Sequence, residues 1–218
     1  MNKRINKSIA GAAAALLFML GLAACGINTM PTRDAWFTQH YIIMQDFERD
    51  AYRGLSAAGR LGFQDLFWKY RSAEARATFE ARLEYVKKNY WKENSQQPWN
   101  TDRSRTYLLN GSPASIDIDQ NSSWPTAGMP SSFLTPSNRS NEDVAADRAE
   151  VWTYPYEKYL IQYVFAFVQP YQWKRMQTTT TTGNRYLGEM ETYNKTVVFA
   201  IGNVQAYKQE LAGLEKGK

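Results

Sequence analysis

The chain has 218 residues, one cysteine, one histidine, and 26 lysines and arginines against 21 aspartates and glutamates, for a formal net charge of +5. Three of the basic residues, Lys3, Arg4 and Lys7, fall in the first seven positions; the rest holds 23 against 21, about +2, which leaves no concentrated basic face for a nucleic-acid partner. One cysteine excludes an internal disulfide and one histidine excludes a multi-histidine centre, so neither metal nor cofactor is expected, and the fold must rest on its own core.

Residues 1–24 read as an export leader. A basic start is followed by an apolar stretch over residues 9–20, too short for a comfortable transmembrane span. Leu22-Ala23-Ala24-Cys25 then resembles the lipobox of bacterial lipoproteins, in which the cysteine thiol receives a diacylglyceryl group. Cys25 is therefore the expected lipidation site and new N-terminus. Each buried methylene contributes about 0.8 kcal/mol, and two or more chains anchor stably. Gly26 follows, where an aspartate would argue for inner-membrane retention, so the expected location is the periplasmic side of the outer membrane. Residues 25–35 form the lipidated cysteine and tether, and residues 36–218 a single domain.

Within that domain the apolar spacing predicts a helix over residues 36–55, with Phe37, Tyr41, Met44, Phe47, Ala51 and Leu55 on one face and Asp34 as its N-cap. After Gly59 and Gly62 a shorter helix is expected over residues 63–70. Ser72 caps a third, carrying Ala75, Phe79, Leu83, Val86 and Tyr90 to about Trp91. Residues 94–98 end it. Thr106 to Leu109 has β propensity and stops at an Asn-Gly-Ser-Pro turn, which predicts a strand from about residue 104. Ile116 and Ile118 suggest a short paired strand. Residues 120–141 form a long aperiodic loop. Residues 149–154 and 159–168 are strands, and residues 172–181 and 185–192 a hairpin about Gly183-Asn184, with the threonine tract Thr178 to Thr182 as a strand arm. Residues 197–201 fit strand or helix, and residues 203–215 a closing helix. Helices over about 36–91, a small mainly antiparallel sheet over about 104–192 and a C-terminal helix describe an α+β domain.

The segment Pro98-Trp99-Asn100-Thr101-Asp102-Arg103-Ser104-Arg105 resembles the motif of the GWxTD domain family of bacterial envelope proteins, with Pro98 in place of the motif glycine and Ser104 where a second glycine is common. The resemblance extends to FQDLFWKYR at residues 63–71, to Glu48, Tyr52 and Leu55, to Glu150, Trp152 and Tyr154, to residues 164–168, and to Asn184-Arg185-Tyr186-Leu187. It implies a secreted or lipid-anchored α+β domain and brings no reaction, substrate or cofactor with it.

Trp99, Thr101, Asp102, Arg103 and Arg105 are the candidate binding residues of this segment, joined by Trp124 in the long loop. In a strand, Arg103 and Arg105 share one face, beside Trp99, as an anion or glycan site requires. The competing reading is a buried corner, with Trp99 as core and Asp102 accepting backbone N–H groups at the turn. No catalytic set is assigned: His40 has no relay partner, and the chain has neither a phosphate-binding glycine loop nor a G-x-S-x-G elbow. Glu48, Glu150 and Asp102 have the chemistry of a glycosidase pair but no common site. Trp36, Trp68, Trp91 and Trp152 fall on inward faces or near helix ends, so most of them are expected in the core, leaving Trp124 and Trp173. The chain is thus expected to be a non-enzymatic lipoprotein, an accessory or assembly subunit acting through protein contacts. The alternative is a ligand- or glycan-binding or processing protein using the PWNTDRSR corner.

Overall fold

The computed structural model describes residues 34–119, 149–168, 172–176 and 184–217. The leader, Cys25 and most of the tether, the 120–141 loop with Trp124, and the threonine tract with Gly183 lie outside the described residues.

The architecture is α+β, with helices preceding a four-stranded antiparallel sheet and a further helix at the C-terminal end. The predicted helix over 36–55 is two: α1, Ala35–His40, and α2, Asp46–Arg53. Asp34 caps α1, accepting from the Phe37 N–H at 3.0 Å. The break after Tyr41 arises because Glu48 reaches back to the Gln45 N–H at 2.8 Å and starts a new helix there. The Arg49 guanidinium then donates to the Tyr41 carbonyl that the break leaves free.

Helix α3, Ala57–Lys69, begins six residues earlier than expected because Ser56 caps it, accepting from the Gly59 N–H. Gly59 is no helix stop: a Cβ there would stand 2.1 Å from the Glu215 carbonyl oxygen, so glycine lets the C-terminal segment pack against α3. Helix α4, Ala73–Asn89, is capped by Ser72 and buries Ala75, Phe79, Leu83 and Val86, the stripe its spacing predicts.

The segment expected to open the sheet is helical. Helix α5, Asp102–Asn110, starts at Thr101, whose hydroxyl accepts from the Ser104 N–H, and Asp102 in the first turn suits the positive end of the dipole. Leu108 and Leu109 are buried, and Arg82 of α4 donates to both their carbonyls at 3.0 and 2.7 Å. This packing overrides the β propensity of Thr106 and Tyr107. Gly111 ends the helix at φ +81, where an added Cβ would also meet the Arg82 guanidinium at 2.9 Å. Gly111→Ala is expected to lower the unfolding free energy by about 1–3 kcal/mol in urea titrations. Gly188→Ala, at a helical position with nothing within 4 Å of the new Cβ, is expected to be neutral or stabilising.

The sheet runs β1, Ser115–Asp119; β2, Ala149–Tyr156; β3, Tyr159–Val168; and β4, Gln172–Arg175, in that spatial order. Trp152 pairs with Tyr163, Tyr154 with Ile161 and Glu150 with Phe165, so one face of β2 and β3 carries the rings. These join Phe37, Tyr52, Phe63, Phe67 and Phe79 in one aromatic core. The second arm of the predicted hairpin is instead helix α6, Asn184–Tyr193, continued by a π-helical turn over Asn194–Val198. Its spacing explains the difference: Tyr186 stacks on Tyr159 at 3.8 Å, Met190 is buried, and Glu191 accepts from the Tyr163 hydroxyl, one helical face turned to β3. Helix α7, Val204–Ala212, is capped by Asn203 and buries Tyr207 and Leu211. Among the described residues no helix is long and apolar enough to cross a membrane.

Candidate functional site

Arg103 is the hub of the PWNTDRSR corner. As the second residue of α5 it reaches back to Glu93, after α4, and forward to Glu150 on β2. Its Nε and Nη2 donate to Glu93 Oε1 at 2.8 and 2.6 Å, and its Nη1 lies 2.8 Å from both oxygens of Glu150. The guanidinium is sandwiched between the rings of Tyr90 at 4.8 Å and Trp173 at 4.5 Å. The Trp152 indole N–H donates to Glu150 at 3.0 Å. Side-chain exposure is 12% for Arg103, 3% for Glu93 and 13% for Glu150. Burial pushes the Glu93 carboxyl above its ordinary value, and Arg103 opposes that shift. Both edges of the guanidinium fork are thus occupied by the protein's own carboxylates. One positive charge faces two negative ones, which is the wrong sign for an incoming anion.

The other residues of the segment point elsewhere. Trp99 is buried, and its indole donates to Thr38 of α1 at 3.0 Å. Ser104 is buried, with its hydroxyl on the Pro98 carbonyl at 2.6 Å. Asp102 accepts a single backbone N–H, that of Arg175 on β4, at 2.9 Å in an exposed setting. The buried turn clamp expected of Asp102 is therefore the work of Thr101 and Ser104, because the chain turns into a helix at this point and not into a strand. Arg105 is exposed and bonds Asn100, so Arg103 and Arg105 do not form one binding face. The three carboxylates with glycosidase chemistry also have separate partners: Glu150 holds Arg103, Asp102 holds Arg175, and Glu48 is buried against Arg71 at 2.8 Å. Of the four tryptophans on inward faces or near helix ends, Trp152 is buried, Trp36 and Trp68 are half-buried, and Trp91 is 52% exposed beyond the C-cap of α4. Among the described residues no group of three or more His, Cys, Asp or Glu side chains is placed to hold a metal ion.

A concave site does exist, in a place the sequence did not single out. Trp36, Gln39 and His40 of α1, Gln64, Asp65 and Trp68 of α3, and Arg76, Phe79, Glu80 and Leu83 of α4 line a cleft of about 600 Å³. Its signal was present as Trp36 and His40 one helical turn apart, but the tryptophans alone looked like core. His40 is buried, stacks on Trp36 at 4.0 Å and 16°, and also contacts Phe79 and Trp68. Its Nδ1 donates to the Trp36 carbonyl at 2.7 Å, which leaves Nε2 as the acceptor nitrogen.

Burial, reinforced by Arg71 and Arg76, lowers His40 from 6.5 to about 4, against the opposing hydrogen bond to Trp36. The unfolded chain therefore binds this proton more tightly than the folded one. The contribution is full above about pH 6.5 and is lost as the pH falls toward 4. At about 1.36 kcal/mol per unit, the expected loss between pH 7 and pH 4 is on the order of 3 kcal/mol. Denaturant midpoints measured at both pH values should fall less for His40→Phe than for the parent chain; an equal fall in both would refute the assignment.

No family model matches the chain, and no curated protein or solved structure does either.

Proposed function

We propose that the chain is a lipid-anchored, non-enzymatic accessory subunit on the periplasmic side of the outer membrane, acting through contacts with another envelope protein. The observation that carries this reading is the edge strand β1. Ile116 and Ile118 lie 47% and 61% exposed on the face they share with Trp152 and Glu150, at one edge of the sheet. Behind this edge, Trp152 is buried against Tyr107, on which Tyr85, 41% exposed, stacks at 4.2 Å. An edge strand with exposed apolar side chains is a template for strand addition.

The occupant is a partner strand that alternates apolar and basic residues, because Asp117 alternates with the isoleucines on the other face. Antiparallel self-pairing over the whole strand would set Asp117 against its own copy, which is destabilising. The PWNTDRSR side chains cap α5, join β4 and pair with two carboxylates, as a structural corner does, and the resemblance of the segment to the GWxTD motif is the support for a kinship to that family. The lipobox at Cys25 supplies the anchor.

A photoreactive residue at position 118 of the membrane-bound protein should give a discrete adduct with one envelope protein, and one at exposed Glu189 should not. Equal labelling from both positions, or none from either, would remove the support. Cys25→Ala should abolish labelling by a fatty-acid analogue and leave an uncleaved precursor. Undiminished label would refute the anchor, and recovery of the wild-type protein with inner membranes would refute the location.

A further inference from the structure

We infer that the cleft between α1, α3 and α4 is a binding site for an uncharged polyhydroxylated ring, a hexose or N-acetylhexosamine unit of a glycan. This site is separate from the β1 edge and does not depend on the partner reading.

Its floor is aromatic. The half-buried Trp68 ring flanks it beside the edge of Trp36, whose faces His40 and Tyr52 cover, and sugar rings present an apolar face of C–H groups that suits an aromatic wall. A site of about 600 Å³ falls in the range of small-ligand pockets, which pair apolar walls with a few placed polar groups. Here those groups include the Gln39 amide and, from the floor, His40.

His40 is the most telling residue. Only 5% of it is exposed, and it sits among Trp36, Phe67, Trp68 and Phe79, where an apolar ring would pack without cost. The Trp36 carbonyl fixes the proton on Nδ1, so Nε2 is an acceptor held in a residue that lines the cleft. Among the described residues no group donates to it. Nε2 keeps solvent access, and a ligand hydroxyl or acetamido N–H entering the cleft can donate to it.

The rim selects an uncharged ligand. Arg76 is paired with Glu80 at 2.8 Å, and Lys69 with Glu210 at 2.8 Å. Both cations of the rim are thus neutralised and Asp65 lies beside them, so the cleft offers no positive charge to an anion.

The test uses the full lipidated chain in detergent, titrated with chitohexaose, cellohexaose and an anionic hexagalacturonate. His40 is the chain's sole histidine, so the imidazole ¹⁵N spectrum reports this site alone. Chitohexaose, cellohexaose or both should bind and shift the Nε2 resonance while Nδ1 stays, and the anionic hexamer should bind more weakly. Trp68→Ala should weaken binding about tenfold. Because loss of a ring can disturb folding, Gln39→Ala on the rim provides a second measure and should weaken binding as well. The inference is overturned by any of three results. Neither neutral hexamer gives heat or an Nε2 shift up to about 5 mM; the anionic hexamer binds more tightly; or a neutral hexamer binds with Nε2 unmoved and both variants unaffected.

Discussion

Arg103→Ala is expected to lower the unfolding free energy by about 3–5 kcal/mol, the scale seen when one partner of a buried ion pair is removed. The loss arises from what remains. Glu93, only 3% exposed, and Glu150, at 13%, would lose the cation between them, burial would push the Glu93 carboxyl still higher, and Tyr90 and Trp173 would face the space the guanidinium filled. Against a typical stability of about 5–15 kcal/mol, that is a large fraction of the whole. Arg103→Lys should recover little, since a single ammonium cannot present two edges to two carboxylates. Glu93→Gln placed on Arg103→Ala should recover part of the loss by removing a buried charge. Arg105→Ala, one exposed residue along the same segment, should change stability by no more than about 0.5 kcal/mol. Urea unfolding of the four variants measures all of this. A loss below about 1 kcal/mol for Arg103→Ala would mean that water solvates the two glutamates and that the corner can admit a ligand.

Local signals led to the right elements where the deciding partners are themselves local. Ser72 with the stripe from Ala75 to Val86 specifies α4, and Asn203 with Tyr207 and Leu211 specifies α7, because cap and face lie within the element. Helix α5 departs from the strand its local sequence suggests because its decisive contact, Arg82 on the Leu108 and Leu109 carbonyls, comes from 26 and 27 residues away, whereas the β propensity of Thr106 and Tyr107 is visible in place. The Thr101 cap is local, but a threonine suits a turn or a strand as well as a helix start, so it does not decide between them. Helix α6 departs from the expected strand for a similar reason: the Gly-Asn turn signal is stronger locally than the spacing of Tyr186 and Met190, whose partners on β3 are far along the chain. The same distance hid the chemistry of Arg103. Glu93 and Glu150 stand 10 and 47 residues away on opposite sides, and nothing in the motif itself says that both of its edges are taken. The cleft needed three helices to meet, which no single window of sequence contains.

Glu48→Leu is the second change with a large expected effect, again about 3–5 kcal/mol, and its reversal by a second substitution separates charge from packing. Glu48 and Arg71 have no exposed side-chain surface. One carboxylate oxygen receives both the Gln45 N–H and Arg71 Nη2 at 2.8 Å, so the residue starts α2 and neutralises the arginine together. Arg71 in turn donates to the Phe67 carbonyl at 3.0 Å and lies 3.6 Å over the Phe67 ring. Removing the carboxylate alone leaves a guanidinium buried among rings with no counter-ion. Removing both charges leaves only an apolar gap to fill and one lost cap, so Glu48→Leu with Arg71→Met should cost about 1–2 kcal/mol, less than either single change. The Tyr207 hydroxyl, which burial and Glu48 hold above its ordinary pKa, is a spectroscopic witness to the same cluster. With Glu48 gone, that hydroxyl should titrate at lower pH wherever the variant remains folded. If the double variant instead loses as much as the two single changes added together, the pair is not coupled, and α2 depends on the Gln45 contact alone.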